Sequence, residues 1–231
     1  MRIPDTLVSI VDVLFPRTCH ICGNPLSRDV KFICEACRAG FPRTNYHRSA
    51  DNAMERRFMG RFPFERAAGH FFYSSGSDLS NLIQDVKYRR FPGIARELGR
   101  LIGDELAVTP FLSGIEIILP VPLHWRKLAS RGYNQSLHFA KGLAESASLS
   151  VGDNLYARRN HRTQTALTLE QRRLNTSGIF AIRRPDDLKG KGILLVDDVC
   201  TTGATLSSAA EVITTYAQDI RLSILTIGVT F

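Results

Sequence analysis

The chain has 231 residues, 44% hydrophobic and 23% charged, with 17 Gly and 10 Pro. This composition excludes a disordered or fibrous chain, and the length suits one full domain of roughly 150 residues plus a small module. The formal charge of +8 is unevenly spread: residues 121–192 hold 13 Lys and Arg against 5 Asp and Glu, whereas residues 193–231 hold 1 against 4. An anionic ligand near 121–192 fits this better than a uniformly basic, nucleic-acid-coating surface, although a solvated basic face gives the same count. No stretch reaches the ~18 uncharged apolar residues of a membrane span, and Asp5 and Asp12 interrupt what would be a signal peptide's apolar region. The expectation is a soluble, cytoplasmic protein.

Leu7, Ile10, Val11, Leu14 and Phe15 recur at helical spacing, and Pro16 ends the pattern. Four of the five cysteines then fall in two CxxC pairs, Cys19 and Cys22, then Cys34 and Cys37, separated by eleven residues. Thiolates two residues apart reach one ion from a single tight knuckle, and two knuckles supply the four sulfurs of a closed structural zinc site. A redox pair or two disulfides fit a reducing compartment poorly. Residues 42–66, with Pro42, Pro63, Asn45, Asn52 and many arginines, read as a connection. The expected division is therefore a helix, zinc module and linker over 1–66 and an α/β domain over 67–231.

Beyond residue 67, helical and strand periods alternate, as in an α/β domain with a largely parallel sheet flanked by helices. Leu79, Leu82, Ile83 and Val86 mark a helix capped by Asp78; Ile94, Leu98, Leu101, Ile102 and Leu106 mark another. Residues 115–121 read as a buried strand, 122–133 as a loop, and Asn134 as the start of a helix with Leu137, Ala140 and Ala144 inward. The apolar run Ile193 to Val196 suits a central strand that ends in Asp197 and Asp198. A Thr/Gly loop follows, then a helix with Leu206, Ala209, Ala210, Ile213 and Ala217 on one side.

Strand, loop and helix in this order place the loop at the carboxyl edge of the sheet, where open α/β sheets bind ligands. Gly203 permits close approach of backbone N–H groups, Thr201, Thr202 and Thr205 add hydroxyls, and the helix start adds its positive dipole end. The loop lacks the lysine of a triphosphate P-loop. Twin carboxylates beside a phosphate cradle suit a sugar diol or magnesium, so a phosphorylated sugar fits. Cys200 reads as a small filler with no base beside it.

The run ILLVDDVCTTGAT at 193–205 resembles the phosphoribosyl-pyrophosphate (PRPP) signature of type I phosphoribosyltransferases. With LIQDVKYRR at 82–90, LPVPLHWRKLASRGYNQSLHFAKGLA at 119–144, RTQTALTLEQRRLNTSGIF at 162–180 and the cysteine knuckles, the chain resembles the ComF family (ComFC, GntX-like) over nearly its whole length. The resemblance implies a type I phosphoribosyltransferase-like domain behind an N-terminal zinc ribbon, and a link to competence and use of external DNA. It implies that Asp197 and Asp198 contact the ribose and that Thr201, Thr202, Gly203, Ala204 and Thr205 hold the 5-phosphate. Arg126, Lys127 and Arg131 would face pyrophosphate, joined by Arg158 and Arg162 from an arginine-rich stretch, 158–173, resembling a closing loop. Asp197, Asp198 and Arg131 are the catalytic candidates, and magnesium would accompany PRPP. Tyr133 stands where the family commonly has Phe. The acceptor is not legible. The alternative reading is a non-catalytic adaptor of DNA uptake that binds PRPP or single-stranded DNA.

Overall fold

The computed structural model describes residues 17–27, 29–158 and 179–230. The helical pattern of residues 7–15 and all of the 158–173 stretch except Arg158 lie outside them, Arg162 included.

Five parallel strands form the main sheet: β1 (Arg66–Phe72), β2 (Ile117–Pro120), β3 (Ser150–Val151), β6 (Gly192–Cys200) and β7 (Arg221–Val229), in the order β1-β7-β6-β2-β3. A separate antiparallel pair joins β4 (Leu155–Ala157) to β5 (Phe180–Ile182). Strand β6 sits at the centre, and side chains alternate across its pleat. Leu194 and Val196 enter one hydrophobic core, while Ile193 and Leu195 enter another on the opposite face. Burial on both faces explains why β6 reads as a continuous apolar run.

The first core is covered by α3 (Asp78–Tyr88), α4 (Pro92–Ala107) and α6 (Gln135–Ala147). The last two pack backbone against backbone: a Cβ added at Gly142 would lie 1.9 Å from the Arg96 carbonyl oxygen, and one at Gly99 would lie 2.3 Å from that of Phe139. Glycine is required there by the approach of the helices. The second core is covered by α2 (Ala53–Phe58) and α7 (Ala204–Tyr216).

Several local expectations change. Helix α3 is capped by Ser77, whose hydroxyl accepts the Ser80 N–H at 3.2 Å; Asp78 is its first residue. The buried stripe of α6 is Phe139, Ala140 and Leu143, because its first turn directs Gln135 and Ser136 to the Asp pair. The expected loop 122–133 holds a short helix, α5 (Trp125–Arg131), with no buried residue, and the 115–121 strand contracts to Ile117–Pro120. The β6 strand continues through both aspartates to Cys200.

The expected connection 42–66 has structure of its own. Asn52 and Glu55 form a reciprocal capping box on α2, and Met54 and Phe58 are fully buried beneath the sheet. The cysteine region, with α1 (Glu35–Ala39), shares the first core through Cys19, Ile33 and Phe41. Among the described residues, no helix is long and apolar enough to cross a membrane.

Candidate functional site

Sulfur geometry defines the first site. The Sγ atoms of Cys19, Cys22, Cys34 and Cys37 lie within 4.8 Å of one another, and none of these cysteines is in a disulfide. The Cys22 to Cys34 separation is 3.7 Å. Tetrahedral zinc with Zn–S bonds of about 2.3 Å needs sulfurs about 3.8 Å apart, so the set fits that ion. The Cys34 N–H points at Cys19 Sγ from 3.4 Å, as a knuckle requires. His20 lies against Phe91 at 4.8 Å between ring centroids, and His47 stacks on His70 in the interior; neither belongs to the metal cluster.

The second site is a cavity of about 650 Å³ at the carboxyl edge of β6. It brings together Asp197, Asp198, Thr201, Ala204 and Thr205 with Lys127 and Arg131. Its floor is formed by the two aspartates, 9% and 7% exposed. Asp197 Oδ1 accepts the Ser136 hydroxyl at 2.7 Å and the Asp198 N–H at 2.9 Å. Asp198 Oδ2 accepts Gln135 Nε2 at 3.0 Å and pairs with Lys87 Nζ at 2.8 Å, while its Oδ1 accepts the Val199 N–H at 2.7 Å. Burial first, and the neighbouring Asp198 charge second, push the Asp197 carboxyl well above the usual carboxylate range. A cation or hydroxyl donor arriving at the pair would relieve that penalty.

The loop after β6 has its glycine inside and its hydroxyls outside. Gly203 is buried at φ +78, and a Cβ there would lie 2.7 Å from Phe58 Cε1, so both conformation and space demand glycine. Thr201, Thr202 and Thr205 are exposed at the start of α7, and Thr202 Oγ1 accepts the Ala204 N–H at 3.4 Å. Beneath them the Arg57 guanidinium donates to the Thr201 carbonyl and, at 2.8 Å, to that of Thr230. Carbonyls drawn down by Arg57 leave the loop's outer side to N–H and hydroxyl donors. Cys200 is buried, and burial pushes its thiol up, in keeping with a filler.

Arg131 joins rim to floor: its Nη1 donates to Gln135 Oε1 at 3.1 Å, and Gln135 in turn donates to Asp198. Thr202 and Gly203 belong to the loop without lining the cavity. Arg126 lines an adjoining pocket instead, and Arg158 is exposed at the end of β4, with its N–H on the Ile179 carbonyl at 2.8 Å. The Tyr133 hydroxyl is buried and has no hydrogen-bond partner among the described residues, and burial raises its pKa.

Sequence reasoning missed Lys87, Gln135, Ser136 and Arg57. The first three stood inside stretches that carried the family resemblance, but nothing in one sequence pairs Lys87 with a carboxylate 111 positions away. Arg57 sat among linker arginines with no distinguishing signal.

A parallel α/β sheet with a phosphate-type loop at its central strand, preceded by a four-cysteine cluster, defines a phosphoribosyltransferase-like protein with a zinc ribbon. Residues 134–225 match the phosphoribosyl transferase domain model, and residues 10–48 match the double zinc ribbon domain model. A DNA utilization protein, YhgH, of Escherichia coli O157:H7 is 29% identical over 84% of this chain and 83% of its own length. Competence protein F of Haemophilus influenzae is 33% identical over 63% of this chain and 64% of its own. Among solved structures, the allosteric regulatory enzyme of purine biosynthesis aligns with TM-score 0.41 and 19% identity, over 56% of this chain and 25% of that one. Adenine phosphoribosyltransferase from Saccharomyces cerevisiae aligns with TM-score 0.39 and 15% identity, over 62% and 72%. The two matched domains and the relatives' names agree with the resemblance to the ComF family read from the sequence.

Proposed function

We propose that the chain binds PRPP with magnesium and transfers its phosphoribosyl group to an acceptor, releasing pyrophosphate, in the cytoplasm and in the service of DNA use. The observation that carries this reading is the single cavity that joins a buried aspartate pair, an exposed threonine loop at a helix start and three cations, Lys87, Lys127 and Arg131. In this reading Thr201, Thr202, Thr205 and the N–H groups around Gly203 and Ala204 hold the 5-phosphate, whose charge the start of α7 favours. Asp197 and Asp198 accept hydrogen bonds from the ribose hydroxyls. Most of their oxygens are already engaged by Ser136, Gln135, Lys87 and backbone N–H groups, which suits a sugar diol better than direct metal ligation.

In this reading Lys127 and Arg131, which line the cavity, face the pyrophosphoryl group. The acceptor's lone pair forms a bond to the anomeric carbon as the bond to the pyrophosphoryl oxygen breaks, and that electron pair leaves with pyrophosphate. Positive charge gathers on the sugar beside the aspartates, negative charge on the leaving group beside Lys127 and Arg131, so both changes are opposed by preorganised groups. Magnesium bound together with PRPP would neutralise leaving-group charge.

The test is pyrophosphate release from PRPP by the full chain against a panel of nitrogenous acceptors, with and without magnesium. Magnesium-dependent release supports transfer. PRPP binding with no release by any acceptor, together with salt-sensitive binding of single-stranded DNA, would leave the adaptor reading in its place. The relatives' DNA-utilization and competence names accommodate either.

A further inference from the structure

Against the PRPP cavity lies a second pocket, of about 370 Å³. The two share Lys87, Lys127 and Arg131 as a common wall. Tyr88, Arg90, Arg126 and Ser130 line only the second pocket. Among the described residues, no carboxylate lines it. Three elements supply its charge: the end of α3 gives Lys87, the turn into α4 gives Arg90, and α5 gives Arg126, Lys127 and Arg131. Lys87 is already paired with Asp198, so Arg90, Arg126, Lys127 and Arg131 carry the charge that a bound anion would neutralise.

Pyrophosphate does not account for all of them. In the reading above the 5-phosphate lies on the threonine loop, and magnesium offsets much of the pyrophosphoryl charge. Lys127 and Arg131, which line both cavities, suffice for the remainder. Arg90 and Arg126 are surplus to the leaving group.

The second pocket also has an aromatic wall. Tyr88 is 72% exposed, and the Arg131 guanidinium lies 5.5 Å from its ring centroid. A planar group can stack on an exposed tyrosine or on a guanidinium plane. Arg90 holds its position in a left-handed conformation, φ +62, which is uncommon for a residue with a side chain. The turn that carries it is braced by the zinc ribbon: His20 packs on Phe91, and a Cβ added at Gly93 would strike Phe32 at 2.4 Å.

We infer that this pocket receives the acceptor, and that the acceptor is a planar molecule bearing its own phosphate or carboxylate. The inference rests on the PRPP reading and narrows its missing substrate to a chemical class. Neutral bases would leave Arg90 and Arg126 uncompensated.

Calorimetry on the full chain tests it. PRPP with magnesium is titrated first. The saturated protein is then titrated with two matched pairs, phenyl phosphate against phenol and orotate against uracil. The anionic member of at least one pair is expected to bind at least tenfold tighter than its neutral partner, and which pair responds distinguishes phosphate from carboxylate. Added magnesium pyrophosphate should not displace it. Arg90→Asn, which keeps a residue tolerant of the left-handed region, should weaken the anion about tenfold or more and PRPP less than twofold. Displacement by pyrophosphate, equal binding of both members of each pair, or binding by none would overturn the inference while the PRPP reading stands. Absence of PRPP binding in the first titration would instead sink that reading itself.

Discussion

The floor and the rim of the cavity at the carboxyl edge of β6 are built in opposite ways. The floor lies on the central strand β6, and its two aspartates are almost fully buried, with hydrogen bonds from α6 and a salt bridge from α3. The rim is the short helix α5, in which Arg126, Lys127 and Arg131 are displayed from a segment with no buried residue. The floor is preorganised by the fold, and a ligand meets groups already in place. The rim is charge held ready at the surface, and the ligand supplies what it lacks. Arg131 is the one rim cation tied to the floor, through Gln135. Changes in the floor and its supports should therefore cost stability together with binding, whereas changes in the rim should cost binding alone.

The largest effect should come from the metal. Zinc binding at such a site contributes ~10–16 kcal/mol of apparent folding energy, and Cys19 shares the first core with Ile33, Phe71 and Leu79. We expect one zinc per chain by elemental analysis. Chelation or Cys34→Ser should lower the melting temperature of the whole chain and also disturb the Arg90 turn that the ribbon braces. Zinc-free protein with unchanged melting would break this account.

Next stands Gly203→Ala. The substitution forces an alanine to φ +78 and drives its Cβ against the Phe58 ring. The left-handed strain alone costs about 1–2 kcal/mol, which at about 2–4 °C per kcal/mol for a chain of this size should lower the melting temperature by several degrees. Loss of phosphate binding should accompany it. Phosphate affinity that survives the substitution would show that the loop is not the cradle.

Arg131→Ala sharpens the contrast from the rim side. Melting should change by less than a degree or two, because Arg131 is partly exposed and its neighbours can be rehydrated. PRPP affinity should fall about tenfold, and the loss should depend on magnesium. An unchanged PRPP affinity with a salt slope for single-stranded DNA reduced by ~0.7 would assign the rim to a nucleic-acid backbone.

The smallest effect concerns acid. His47 is buried against His70, and burial first, His70 second, lower its pKa from 6.5 to about 4. The folded chain thus binds that proton more weakly than the unfolded chain. Its contribution to stability is complete above about pH 6.5 and is lost as pH falls towards 4. Glu105, held down to about 2 by hydrogen bonds from His70 and Arg43, extends the loss below its ordinary value of 4.5. A thermal melt series should show this decline, and His47→Gln should flatten its upper part. A flat series between pH 6.5 and 4 would contradict it.

Much of the floor was legible in the sequence and little of its support was. The apolar run before Asp197, the turn glycine and the inward stripe of α7 are local patterns, and local patterns survive in one sequence. The length of β6 was misjudged because carboxylates read as a strand end, yet Ser136, Gln135 and Lys87 let both remain within the strand. Residues 42–66 looked irregular because α2 is only six residues long, too short for a period to register, although Asn52 and Glu55 spell its capping box. Helix α5 carries no apolar stripe since it buries nothing, so no periodicity could announce it. The ties from Arg57 to Thr201 and from Lys87 to Asp198 span more than a hundred residues and exist only in the folded chain.

The central claim is that Asp197 and Asp198 hold the ribose of PRPP above a separate phosphate cradle. Calorimetry of the double variant Asp197→Asn, Asp198→Asn, with PRPP and magnesium and then with inorganic phosphate, tests it most directly. The account predicts that PRPP binding falls at least a hundredfold while phosphate binding changes less than threefold, two hydrogen-bonded charges being removed from one ligand and none from the other. Equal losses for the two ligands would contradict it and leave the aspartates as mere supports of the loop.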